Sequence, residues 1–167
     1  MKLTSAIVVA CSIALSASHS AYAACAIDDP AAAAQSFYTH HTDFSSKDPT
    51  AFKDLLTPRF FAALDKEYKC AQGDVCAIEA DPWTDAQDGT IGKPVAFATT
   101  SNADGKAVVA MTYPFILNKT PHKQHATLLL QRTSATECWQ LDDVKGPRGN
   151  SLVQMIEKWH KEYGSGH

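Results

Sequence analysis

Ala107-Val108-Val109-Ala110-Met111-Thr112-Tyr113-Pro114-Phe115-Ile116-Leu117 is a run of β-branched, aromatic and small apolar residues. That composition suits a strand on a pleated, half-buried surface. Asn102-Ala103-Asp104-Gly105 before it is a hairpin signal, and Asn118-Lys119-Thr120-Pro121 after it reads as a second turn. Pro114 interrupts the run and points to a bulge or an edge position. Further strands follow on either side: Pro94 to Ser101 upstream, and His122 to about Arg132 downstream. Cys138-Trp139-Gln140-Leu141-Asp142-Asp143-Val144 makes a fourth. Gly146-Pro147-Arg148-Gly149 ends the series. The expected core is therefore an antiparallel meander of about four strands.

Ahead of the meander the chain reads as helical. Asp29-Pro30, Asp48-Pro49 and Thr57-Pro58 each place a capping side chain before a proline, a common helix start. Ala34, Phe37, His41 and Phe44 recur at helical spacing after the first start. The second opens a short helix ending near Leu56. The third opens a helix expected to bury Phe61, Leu64 and Tyr68, with Phe60 alongside, and to stop at Gln72-Gly73. From Val75 to Gly92 no period holds, and the acids there sit among Pro82, Trp83 and Gly89 as an irregular loop. After the meander, Asn150 or Ser151 caps a last helix, with Gln154 available for a capping box and Leu152, Ile156, Trp159 and Tyr163 as its apolar face. Helices, then strands, then a helix imply an α+β domain: N-terminal helices packed on a curved antiparallel sheet, closed by a C-terminal helix.

The start of the chain has the features of an export leader. Met1-Lys2 is positive, Ala6 to Leu15 is apolar, and Ala21-Tyr22-Ala23 matches a small-x-small cleavage pattern. The expectation is a signal peptide over residues 1–23, a single domain over 24–167, and periplasmic residence. No later stretch is long and apolar enough for a membrane span. In an oxidising compartment Cys25, Cys70, Cys76 and Cys138 act as staples. Cys70 and Cys76 bracket a turn-rich stretch suited to a local bridge, which leaves Cys25 to pair with Cys138. The rival reading is a metal site, but five residues separate Cys70 from Cys76 and no histidine cluster adjoins them. No metal and no cofactor are expected. Net charge over the whole chain is −3 with scattered basic residues, which argues against nucleic acid as a partner.

Asp81-Pro82-Trp83-Thr84-Asp85-Ala86-Gln87-Asp88 is similar to the Asp-Pro-aromatic…Ala-Gln-Asp signature of exported bacterial proteins grouped as domain-of-unknown-function family 3828. The strand Cys138 to Val144 resembles that family's late strand, and Ser151 to Ile156 falls where its closing helix lies. The resemblance covers most of the chain after the leader, the first motif being the more specific. It implies a nuclear-transport-factor-2-like, cystatin-like cone in the periplasm and implies no activity. Members often carry a cysteine near the Asp-Pro motif; here Cys76 lies five residues ahead of Asp81.

The residues themselves offer few catalytic arrangements. No Gly-x-Ser-x-Gly elbow occurs, and a thiolate nucleophile is not expected among paired cysteines. Asp142 and Asp143 are adjacent on a strand, so they face opposite sides and only one enters a cavity. One of His40 and His41 must lie near the first helix's apolar face. His122 and His125 fall on opposite faces of their strand, while His160 and His167 are expected to see solvent. Gly146 to Ser151 offers backbone N–H groups and Arg148 to an anion, though a plain turn explains it equally.

The leading expectation is a non-enzymatic protein-binding module, in its sharpest form an immunity-type protein that plugs a periplasm-acting toxin. Asp81, Trp83, Asp85, Gln87 and Asp88 would face the partner. The plainer reading of that loop has Asp81 and Asp85 capping turns while Trp83 and Gln87 close the mouth of the cone. A second expectation is a small-ligand carrier whose cavity is lined by His41, Tyr113 and Asp142. A third is an acid–base enzyme using Asp142 or Asp143 with a histidine.

Overall fold

The structure is a computed structural model that describes residues 27–72 and 76–164. The expected leader, Cys25 and the turn at Gly73 lie outside the described residues. Helix α1 spans Pro30–His40; the Asp29 carboxylate accepts from the N–H groups of Ala31 and Ala32, and Pro30 fills the first position. It buries Ala34 and Phe37 but stops at His41 rather than running on to Phe44. Phe44 instead opens a 3₁₀ turn, Phe44–Ser46, and is 1% exposed. The second proline start gives a 3₁₀ segment, Pro49–Leu55, capped by Asp48. Helix α2 spans Pro58–Cys70, with the Thr57 hydroxyl accepting from the Phe60 N–H.

The buried stripe of α2 is Phe60, Ala63, Leu64 and Glu67; Leu64 and Phe60 are buried as expected, whereas Phe61 and Tyr68 are only half-buried. Phe60 takes the innermost place, while Phe61, about 100° round the helix, packs half-buried at the edge of the core. The stripe at i, i+3, i+4 and i+7 then delivers a glutamate to the interior.

Five antiparallel strands curl into a half-barrel: β1 Thr90–Ile91, β2 Ala96–Ala103, β3 Lys106–Leu117, β4 Thr120–Gln131 and β5 Gln140–Lys145. β3 is the spine. It pairs with β4 from Lys106↔Gln131 to Leu117↔Thr120, and its other edge takes β2 and then β1. Pro114 is therefore neither at a bulge nor on an outer strand. It sits opposite the gap between β1 and β2, where its carbonyl accepts from the Gly92 N–H at 2.7 Å and its missing N–H breaks no ladder bond. The register shifts lie elsewhere, at Thr99/Ser101 and Leu129/Leu130.

Asp104 (φ 53°) and Gly105 (φ 70°) turn the β2–β3 hairpin with two left-handed residues, as its right-handed twist requires. A Cβ on Gly105 would collide with the Arg132 carbonyl oxygen. Gly105→Ala is expected to lower stability by about 1–3 kcal/mol in urea denaturation.

Inward residues of β3 and β4, among them Met111, Tyr113, Ala126 and Leu128, pack against Phe37, Phe44, Phe60 and Trp83. Helix α3, Leu152–Glu162, is capped by Ser151, whose hydroxyl accepts from the Gln154 N–H at 3.1 Å. It buries Leu152, Val153, Ile156 and His160. The expected face was rotated: Trp159 is half-buried and Tyr163 is 63% exposed. The Asp143 carboxylate accepts from the Val153 N–H at 3.1 Å, which pins Val153 inward and turns His160 in behind it.

Cys70 and Cys76 are joined in a disulfide, with Cα atoms 6.1 Å apart, so neither sulfur is a thiolate ligand. Cys138 is also disulfide-bonded; the expected Cys25–Cys138 pairing lies outside the described residues. Among the described residues, no helix is long and apolar enough to cross a membrane.

Candidate functional site: a wedge between two clefts

Residues 77–88 leave the disulfide and turn back on themselves. The Asp81 N–H donates to Ala86 O at 3.1 Å, and the Asp85 N–H donates to Asp81 O at 2.9 Å. The Asp81 carboxylate accepts from the Trp83 N–H at 2.7 Å, an Asx-type cap that a carboxylate two residues upstream favours. Burial pushes the Asp81 carboxyl above its ordinary range, helped by the nearby Asp85. Hydrogen bonds from Trp83 and Thr84 oppose that shift. The residue as a whole keeps contact with solvent.

Trp83 points into the core. It is 1% exposed, and its indole N–H donates to Thr42 O at 2.7 Å. Its ring meets Tyr38 and Phe44 edge-on, each at 5.2 Å between centroids. The Tyr113 hydroxyl donates to its carbonyl oxygen. Burial pushes Tyr113 far above the usual phenol range, so it remains a donor. Of the five residues expected to meet a partner, Trp83 thus shapes the loop from inside. Asp81, Gln87 and Asp88 are exposed and Asp85 is half-buried. Gln87 does not close the cone; its amide donates to Glu79 O at 3.3 Å on the surface.

Asp85 joins the loop to the Gly146–Gly149 turn. Its carboxylate accepts from the Arg148 N–H at 2.8 Å, and the Arg148 guanidinium donates to its carbonyl. A Cβ on Gly146 would occupy the place of that carboxylate. The proline- and glycine-rich turn therefore receives an aspartate of the same chain, and Arg148 is engaged before any outside anion arrives.

The joined segments stand between two clefts. The first, about 530 Å³, separates the loop from the start of α3. Glu79, Asp85, Asp88 and Arg148 line it, together with Leu117 and Met155, each 39% exposed. The second, about 630 Å³ and shallower, lies towards α1 and α2, with Asp43, Glu67, Glu79 and Asp81 along it. A third, apolar groove of about 190 Å³ runs beside α1 past Phe37, Leu55 and Trp139.

His41, Tyr113 and Asp142 are not brought together. Tyr113 binds Trp83 O, and Asp142 accepts from the Thr57 hydroxyl at 2.8 Å. His41 packs on Phe52 and Phe37 at 4.9 and 5.2 Å between centroids. None of the three lines any of these clefts. Asp143 is buried and accepts from the Val144 and Val153 N–H groups, while His122 and His125 lie exposed on β4.

Burial holds His41 below its ordinary value near 6.5, and His40 adds to the effect. The unfolded chain then takes up the proton more readily than the folded one. His41's contribution to stability should be whole above pH 6.5 and decline as pH falls through the folded value. An NMR titration placing His41 at or above 6.5 would contradict this.

Glu67 and His160 form a buried pair, and His160 is not at the surface where it was expected. His160 Nε2 is hydrogen-bonded to Glu67 Oε2 at 3.0 Å, and both side chains are 4% exposed. The other carboxylate oxygen accepts from the Ile78 N–H at 2.7 Å. The signal was present in the sequence: Glu67 stands seven residues after Phe60, on the same helical stripe.

Comparison of the chain with protein-family models, curated proteins and solved structures finds no match in any of the three.

Proposed function

We propose that this protein is an exported, non-enzymatic binding module that grips a basic segment of another protein across residues 77–88. The observation that carries the reading is the wedge itself. Asp43, Glu79, Asp81, Asp85 and Asp88 border the two clefts, and Arg148 is already held by Asp85. A basic side chain could lay its aliphatic stem on Leu117 and Met155 and its charge against Asp88 or Glu79. Export to the periplasm rests on the leader-like start of the chain, and the family-3828 resemblance and a toxin-plugging role belong to the same reading. A carrier function is less well supported, because Trp83, Tyr113, Phe44, Phe60 and Met111 fill the interior. An acid–base enzyme is also less well supported, since Asp142 and Asp143 bind Thr57 and backbone amides.

The test places a photo-crosslinking residue at Asp88, and separately at Ala98 on β2 as a control, in the protein exported with its own leader. A specific partner should attach at position 88 and be identified by mass spectrometry. Glu79→Lys with Asp88→Lys should weaken its capture at least tenfold without changing the melting temperature by more than a few degrees. Equal labelling at Ala98, or capture indifferent to the charge reversal, would refute the reading.

A further inference from the structure

We infer that Glu67 and His160 form a buried latch that sets the distance between the two walls of the first cleft. This inference rests on the proposed interface at residues 77–88. Glu67 lies on α2 and does not line that cleft, yet it binds an element belonging to each of its walls. Its Oε1 accepts from the Ile78 N–H, at the root of the loop that forms one wall. Its Oε2 meets His160 of α3, whose first turn and Met155 form the other wall. One carboxylate therefore reports the position of the helix to the loop.

The pair has the marks of a positioning device rather than of ordinary packing. A carboxylate and an imidazole, each 4% exposed, replace apolar side chains on stripes otherwise made of Phe60, Ala63, Leu64, Leu152, Val153 and Ile156. Apolar residues would fill such a volume with similar stability, because paired buried polar groups forfeit much of their attraction to desolvation. They could not hold the Ile78 amide. Directionality is what the polar pair adds. The disulfide at Cys76 ties the chain two residues earlier, but it leaves the orientation beyond it free. The Ile78 bond supplies that orientation. Glu67 and His160 are thus positioning residues, since they act on a partner only through the loop and α3.

The decisive variant is Glu67→Met with His160→Phe, which fills the volume, leaves neither side chain of the pair stranded and removes the latch. Hydrogen exchange should then accelerate at least tenfold at Ile78 and along the loop to Ala86, while Val109 and Leu128 in the sheet stay within twofold. Capture of the position-88 partner should fall at least tenfold. Glu67→Gln keeps an acceptor for Ile78 and should restore loop protection to within threefold of the parent. A folded double variant with unchanged loop exchange overturns the latch, and so does faster loop exchange with undiminished capture. If the double variant fails to fold, His160→Gln read by the same exchange decides. A parent protein that captures nothing at position 88 would sink the interface reading, whereas the exchange result would still judge the connection between α3 and the loop.

Discussion

Trp83→Ala should lower the unfolding free energy by about 3–5 kcal/mol, the range for deleting a large aromatic from a packed interior. Three separate losses add to the empty volume. The ring leaves its edge-on contacts with Tyr38 and Phe44. Thr42 O loses the indole N–H that satisfies it. The loop backbone, freed from its anchor, presents its carbonyl less well to the Tyr113 hydroxyl. Against a total of about 5–15 kcal/mol for a domain of this kind, that is enough to unfold much of the protein at modest temperature. Trp83→Phe keeps one aromatic ring but loses both the N–H and part of the indole volume, so an intermediate cost of about 2–3 kcal/mol is expected. Urea denaturation checks both. A Trp83→Ala protein within about 1 kcal/mol of its parent would mean that the loop is not held from inside.

Removing one partner of the buried pair should be nearly as damaging. Glu67→Ala leaves the Ile78 N–H without its acceptor and His160 without its partner, and His160→Ala leaves the Glu67 carboxyl group buried with one partner fewer. Each is expected to cost about 2–4 kcal/mol, because it strands a buried polar group and leaves the deleted side chain's volume empty. The two costs should not add. In a double-mutant cycle the pair should show a coupling of about 1–3 kcal/mol, since the second deletion removes the group that the first left stranded. Additivity within about 0.3 kcal/mol would show that the two side chains do not depend on each other.

The parts of this fold that local chemistry dictates were legible before any coordinates. Asp29, Asp48 and Thr57 cap what they precede, because a short oxygen-bearing side chain before proline has few other uses. Asp104-Gly105 and Asn118-Lys119 turn the two long hairpins, and the Cys70–Cys76 bridge closes the loop that its spacing indicates. Errors arose where two adjacent residues competed for one face. Phe60 lies deeper than Phe61, and Val153 with His160 takes the inward side expected of Trp159 and Tyr163. A one-residue rotation of a helix changes no local propensity, so only the packed neighbour decides it.

The candidate site divides in the same way. The acidic loop stands out by composition, and Asp81 capping its own turn is a matter of two residues' separation. That Trp83 faces inward depends on Thr42, Phe44 and Tyr113, residues up to 41 positions away. The cleft between the loop and α3 exists because Asp85 reaches across 63 positions to Arg148. Caps, turns, the short bridge and the order of helices and strands were set by the chain alone, because each is closed by neighbours a few residues apart. Which side of each helix is buried, where the tryptophan goes and how Glu67 meets His160 were set by tertiary packing, because those contacts form only when the curled sheet brings distant segments to one place.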